Sequence, residues 1–307
     1  MISQTNKAVT GGSFQNILRD NASTNGSELN ALIVFRYILQ TAEKYNYKLT
    51  GSVLEIGGYN HVGLALIFLL HGVNKYYLNN ITPVENRISL AYAQNISALM
   101  NYAGFSRSDL ANIIEPVAGS NDVRIRDQYI VRLSEQDAAN ITLPDNSINF
   151  IFSITVLEHV HTTAPLLQNC YRMLSPQGWA THVIDMRDHS NFSKPLDFLK
   201  LNQDTFTKQQ CGNNRLRVNE HRREFEKAGF IINFVDHFKS LPLISDNRTD
   251  SYNILLNSFE HYYKEDINEI NIWVTEEMRK SFHPRYHSFS LRDLSVLTAN
   301  FVLHKKQ

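Results

Sequence analysis

The chain has 307 residues, 43% of them hydrophobic and 20% charged, and its 30 Lys plus Arg balance 30 Asp plus Glu. That length and balance suit one large globular domain with additions, and zero net charge leaves no overall field to recruit nucleic acid or an anionic membrane. The longest uncharged apolar run, Val62 to Leu70, is nine residues, about half of a membrane span. No apolar signal region opens the N-terminus, so a cytoplasmic chain is expected, with no membrane span and no nucleic-acid partner. Cys170 and Cys211 stand far apart without metal-like spacing and read as packing or surface thiols.

Residues 1–27 are rich in Ser, Thr, Asn and Gly and read as a mobile arm, or as a flap over a bound ligand. Leu29, Leu32, Ile33, Phe35, Ile38 and Leu39 form a helical stripe within Glu28 to Tyr47. Val53, Leu54 and Ile56 are a short apolar strand ending in Gly57-Gly58. His61 to His71 is apolar on nearly every face, with Gly72 placed as a cap, and Tyr76 to Leu78 is a second strand stopping at Asn79-Asn80. This strand, glycine turn, helix, strand unit builds a parallel sheet.

Helical spacing covers Asn86 to Tyr102, and Ser106 to Asn121 reads as helix and loop. Tyr129 to Leu133 and Asn149 to Val156 read as the third and fourth strands, the latter buried on both faces. Thr163 is placed to cap the next helix, Ser175-Pro176-Gln177-Gly178 to form a type I turn, and Trp179 to Met186 to form the fifth strand. Residues 187–214 break the rhythm and read as an insertion over the C-terminal edge of the sheet. Val218 to Ala228 is a helix capped by Gly229, Phe230 to Phe238 a strand, Asp250 to Lys280 helical and surface-like, and Val296 to His304 a last strand. The alternation argues a doubly wound α/β fold.

The segment VLEIGG, with LPDNSINFIFSITVLEHV and YRMLSPQGW after it, resembles the motifs of class I S-adenosylmethionine-dependent methyltransferases, over roughly residues 50–235. The resemblance implies a mostly parallel seven-stranded Rossmann-like methyltransferase fold, with a cap insertion and a helical addition at about 240–290 within a domain spanning 28–307. It implies S-adenosyl-L-methionine as cofactor. A dinucleotide domain would show G-x-G-x-x-G, which Gly57-Gly58-Tyr59-Asn60-His61-Val62-Gly63 does not.

By the same resemblance, Glu55, Gly57 and Gly58 would face the methionine part of the cofactor, with Tyr59 a further cofactor-site candidate beside them. Asn80 stands where the family places an acid for the ribose hydroxyls, Asp137 and Ala138 beside the adenine, and Ser153 under the sulfonium. Asn80 in place of an acid costs roughly 1 kcal/mol, the difference between a charged and a neutral hydrogen bond, on the order of tenfold in affinity. Asn149 replaces the usual aspartate before the fourth strand. Asp185-Met186-Arg187-Asp188-His189 and Asn214-Arg215-Leu216-Arg217 resemble segments of members from sugar- and polysaccharide-modifying gene clusters.

In open α/β sheets the ligand lies outside the carboxyl ends of the strands. There the candidates for a general base are His189, oriented by Asp185 or Asp188, and His159. His159-x-His161 lacks zinc-site spacing, so no metal is expected. The reading is an O-methyltransferase acting on a small-molecule acceptor, a sugar or glycoside. Its alternative is a methyltransferase-like fold acting as a binding or scaffolding subunit, with the pocket partly filled by Tyr59 and His61.

Overall fold

The computed structural model describes residues 27–58, 62–208, 212–238 and 272–306. The expected arm before Ser27, the turn residues Tyr59 and His61, Cys211 and the part of the helical addition before Ile272 lie outside the described residues.

Helix α1 (Ser27–Lys44) lays Phe35, Ile38 and Ala42 on the sheet. Strand β1 (Ser52–Ile56) leads through the glycine turn into α2 (Gly63–Leu70), whose eight residues are all buried, and then into β2 (Lys75–Asn80). A helix buried on every face explains why its sequence shows no amphipathic stripe, and each buried Leu, Ile or Phe contributes about 1.5–3 kcal/mol. The strands β6 (Ile130–Ser134), β7 (Ile148–Ile154), β8 (Leu174–Asp185), β9 (Phe230–Phe238) and β10 (Thr298–Lys305) complete one seven-stranded sheet in the order β6-β2-β1-β7-β8-β10-β9. β10 runs antiparallel to both neighbours, and the other pairings are parallel. This is the Rossmann-like methyltransferase fold expected.

Alternation along the strands divides the core. Val53, Phe150, Phe152, Trp179 and Val183 face the side covered by α1 and α2. Leu54, Ile56, Ile151, Ala180 and Ile184 face the other, covered by α5 (Thr163–Met173) and α7 (Val218–Lys227). A third apolar cluster joins Leu196, Phe198, Leu199 and Phe206, the last on α6 (Gln203–Lys208), to Tyr286 and Leu294. It anchors the stretch after β8 to the chain just before β10.

Four local expectations are corrected. Residues 106–121 hold only one helical turn, α4 (Leu110–Ile113), followed by strand β4 (Ile114–Pro116), which pairs with β5 (Asp122–Ile125). Ile114 pairs with Ile125 and Pro116 with Val123, so the second half of the stretch joins a ladder instead of continuing a helix. Helix α3 (Leu90–Tyr102) starts later than Asn86 because Ile88–Ser89, strand β3, pairs with β5 and the Ser89 hydroxyl then caps the helix at Tyr92 N. Thr162, not Thr163, holds the N-cap position of α5. The segment Ser175 to Gly178 is not a turn between elements but an excursion within β8. Ile148 pairs with Leu174 and Phe150 with Trp179, so residues 175–178 face Asn149 alone and leave the ladder between those pairs. A bulge accommodates Pro176, which has no N–H to give.

Candidate functional site

At the carboxyl end of β1 the main chain is bare by necessity. Gly57 has φ of +68°, and a Cβ there would stand 2.5 Å from Val156 Cγ2; one on Gly58 would stand 2.3 Å from Leu78 Cδ1 and 2.7 Å from Glu55 Cδ. Gly58 N donates to Asn79 O at 3.0 Å, which pins the turn to β2. Beneath it the buried Glu55 accepts from Tyr76 Oη at 2.7 Å through Oε2. Burial pushes its carboxyl up to about 7, with the tyrosine hydrogen bond pulling the other way. Among the described residues Tyr76 is the one hydrogen-bond donor to this carboxylate, and Oε1 lies on the side of the Gly58 main chain.

Asn79 and Asn80 are more than the end of a strand. The Asn79 amide donates to Leu133 O at 3.1 Å and Gln136 O at 2.8 Å, tying β2 to the loop after β6. Asn80 donates to Gly58 O and accepts through Oδ1 from Thr82 N at 3.1 Å. A carboxylate at position 80 could accept but not donate to that carbonyl, so the asparagine holds the glycine turn in a way the family's acid would not. Asp137 is exposed and caps a 3₁₀ turn by accepting from Ala139 N at 2.9 Å, and Ala138 is buried with its carbonyl bonded to Asn169 Nδ2. Ser153 is fully buried, its hydroxyl 2.8 Å from His182 Nδ1. His182 stacks on Phe225 of α7, and burial pushes its imidazole down to about 3, so it is neutral. Tyr59 lies outside the described residues.

The second half of the site gathers at the ends of β7 and β8. Asp185 takes a two-pronged contact from Arg187, Nε to Oδ1 at 2.9 Å and Nη2 to Oδ2 at 2.8 Å, while His189 Nε2 stands 3.4 Å from Asp185 Oδ2. Burial alone would raise this carboxyl; the His189 and Arg187 contacts outweigh it and hold it at about 2. His159 packs edge-on against His189, ring centres 4.9 Å apart, and its Nδ1 lies 2.5 Å from Gly212 O. Asp188 turns away from the histidines. Its Oδ1 accepts from Ser190 N at 2.9 Å and Ser190 Oγ at 2.5 Å, which shapes the loop.

Asn213 was not singled out from the sequence, and Asn214 and Arg217 were noted there without a role. Asn213 donates to Arg187 O at 2.6 Å, and Asn214 bonds three carbonyls of the turn after β7, those of Leu157, Glu158 and Val160. Arg217 is fully buried and donates to the carbonyls of Met186, Leu294 and Val296. The segment 212–217 is thus a strap locking the ends of β7 and β8 and the chain before β10. The only signal for it was the likeness of Asn214 to Arg217 to a known segment. Among the described residues no group of three or more His, Cys, Asp or Glu is arranged to hold a metal, and no helix is long and apolar enough to cross a membrane.

A family model described as a methyltransferase domain matches residues 103–181, from just after α3 into β8. No curated protein matches the chain. Among solved structures, a Galdieria sulphuraria protein described as a sarcosine dimethylglycine methyltransferase is 16% identical, with 89% of this chain and 85% of that one covered and a TM-score of 0.46. Phosphoethanolamine N-methyltransferase 2 of Haemonchus contortus, with S-adenosyl-L-methionine, is 14% identical over 88% of this chain and 52% of that one, TM-score 0.46. Geranyl diphosphate C-methyltransferase of Streptomyces coelicolor is 8% identical over 83% and 71%, TM-score 0.43. The match to a methyltransferase domain supports methyl transfer from S-adenosyl-L-methionine, and it falls within a sheet whose strand order is that of the Rossmann-like methyltransferase fold.

Proposed function

We propose that the chain transfers a methyl group from S-adenosyl-L-methionine to an oxygen of a sugar or glycoside. The observation that carries the reading is the pairing of a bare glycine turn over a buried carboxylate with a histidine–aspartate cluster at the ends of β7 and β8, on the same edge of the sheet. When bound, the cofactor supplies an electrophilic methyl group on a sulfonium. Gly57 and Gly58 give it main chain to lie against, and Glu55 offers Oε1 to its ammonium group. Tyr59, Asn80, Asp137, Ala138 and Ser153 are assigned to the rest of the cofactor site, Asn80 and Ser153 acting by holding the turn and the strand end from within.

His189 is the base. Placing the ring proton on Nε2, the nitrogen 3.4 Å from Asp185, leaves the basic lone pair at Nδ1 to take the proton of the acceptor hydroxyl. Asp185 fixes the ring and stabilises the imidazolium that forms, and Arg187 keeps that carboxylate ionised. His159 packs the ring from the side, and Asp188 positions the loop that carries it. Phe192, 56% exposed and 5.5 Å ring to ring from His189, offers a sugar an apolar face. The likeness of Asp185 to His189 to segments of sugar-modifying members supports the acceptor class. The acceptor-side additions at about 187–214 and 240–290 belong to the same proposal.

Isothermal titration with S-adenosylmethionine tests the cofactor half; no heat at millimolar ligand would favour a scaffold. His189→Ala tests the chemistry, with cofactor affinity kept and transfer slowed about a hundredfold. An unchanged rate removes His189 from the mechanism.

A further inference from the structure

At the histidines, four buried polar atoms have no hydrogen-bond partner among the described residues: Nε2 of His189, both carboxylate oxygens of Glu158 and Oδ1 of Asn213. Glu158 and Asn213 are each 1% exposed. Buried polar atoms are bonded in the great majority of cases, so orphans gathered at one place mark where something else bonds. They are one place. Asn214 N donates to Glu158 O at 2.6 Å, and the neighbouring Asn213 donates to Arg187 O at 2.6 Å, so the strap holds both beside the end of β8.

Once Glu158 is ionised its two oxygens and Oδ1 of Asn213 are all acceptors, and the charges around them are unequally answered. Asp185 has the guanidinium of Arg187 and the imidazole of His189. Among the described residues Glu158 forms no ion pair and instead feels the negative charge of Asp185. Burial, with Asp185 adding to it, outweighs the pull of the nearby Glu158 and Asp185 main-chain N–H groups and pushes its carboxyl up to about 8. Isolated buried carboxylates are costly, and the missing complement is a cation that donates. A hydroxyl offers one donor to three waiting acceptors. A protonated primary amine offers three, with the charge.

We infer that Glu158 and Asn213 receive a protonated amino group of the acceptor, so that the sugar methylated is an amino sugar. This rests on the sugar O-methyltransferase reading above and narrows it. Glu158 becomes a binding residue that orients the acceptor while His189 serves the hydroxyl. His189 and Arg187, with side chains 21% and 19% exposed, line the approach.

The test uses the whole chain saturated with S-adenosylhomocysteine, titrated with glucosamine, glucose and N-acetylglucosamine at a pH where glucosamine is protonated. Binding is read by calorimetry and by NMR shifts of the protein. Glucosamine should bind about tenfold tighter than either neutral sugar, and Glu158→Gln should bring the three within about twofold. Equal binding of the three sugars to the unaltered protein overturns the inference and leaves the methyltransferase reading standing, whether or not the variant folds. A preference that survives in a folded Glu158→Gln overturns it in the same way. Cofactor binding with no sugar bound at tens of millimolar sinks both the sugar acceptor and the amino group. Absence of cofactor binding sinks the proposed function itself.

Discussion

Glu55, Gly57, Gly58, Tyr76 and Asn80 all come from residues 52–80, one strand-turn-helix-strand unit, and the Glu55–Tyr76 and Asn80–Gly58 hydrogen bonds close within it, while Gly57 packs against Val156. The opposite side of the site is assembled from four separate places: the turn after β7, the end of β8, the strap 212–217, and residues 294–296 before β10. The first side is local, and its geometry follows from a few residues in sequence order. The second exists only once distant segments have docked, and buried polar groups rather than apolar contacts set its alignment. The two sides should therefore fail differently when altered.

The largest effect belongs to the local side. Gly57→Val must force a branched residue to φ of +68° with its Cβ 2.5 Å from a methyl of Val156. The left-handed conformation alone costs about 1–2 kcal/mol, and the turn must also move. Cofactor binding should vanish from calorimetry while the circular dichroism of the sheet persists. Retained affinity would mean that the turn is not where the cofactor lies.

The assembled side should lose stability first. Arg217→Met leaves the carbonyls of Met186, Leu294 and Val296 unserved and deprives the buried Asp293 of its attracting charge. Removing one partner of a buried charged set costs about 3–5 kcal/mol. Denaturant unfolding should show that loss, with cofactor affinity per folded molecule little changed. If affinity fell in proportion to stability, the two sides would be one cooperative unit and the comparison would fail.

This division also explains what could be read in advance. All seven strands of the main sheet were legible because burial on one or both faces writes itself as apolar runs, as in Phe150 to Phe152 and in Val183 and Ile184. The glycine turn and Glu55 were legible for the same local reason. The small sheet of β3, β4 and β5 was not, since its strands are two to four residues long and too short for a period to emerge. Nor was the strap. Asn213 and Arg217 carry no pattern that announces burial, and polar residues are exposed by default. Asp185 rather than Asp188 meets His189 because the loop curls after β8, which spacing along the chain does not encode.

A pH experiment sharpens the local side further. Glu55 is raised from the usual 4.5 to about 7 in the folded chain, so the folded state holds a proton that the unfolded state releases earlier. Its contribution to stability is present below pH 4.5 and is lost as pH rises through 7. A shift of that size corresponds to about 3 kcal/mol. Glu158, raised to about 8, titrates over much of the same range. The clean reading is therefore the gap between Glu55→Gln and the unaltered chain, without cofactor. That gap should move about 3 kcal/mol in favour of the variant between pH 4.5 and pH 8. A gap that stays flat would show that water reaches the carboxylate.

The smallest effect lies at the opposite end of the sheet. Asn149 replaces an acid common in this kind of fold, which from the sequence alone looked like a departure touching function. The side chain is exposed at the start of β7 and accepts from Ser52 N at 2.8 Å, where β1 begins. An aspartate could accept the same bond, so the exchange changes a charge at the amino end of the strands, on the far side from the glycine turn. Asn149→Ala should cost about 1 kcal/mol, the net worth of one hydrogen bond, and Asn149→Asp less than that. Neither should alter cofactor affinity or transfer rate at saturating substrates. A rate change without a stability change would mean that the two ends of β1 communicate, and the turn after Ile56 could then no longer be treated as a self-contained local unit.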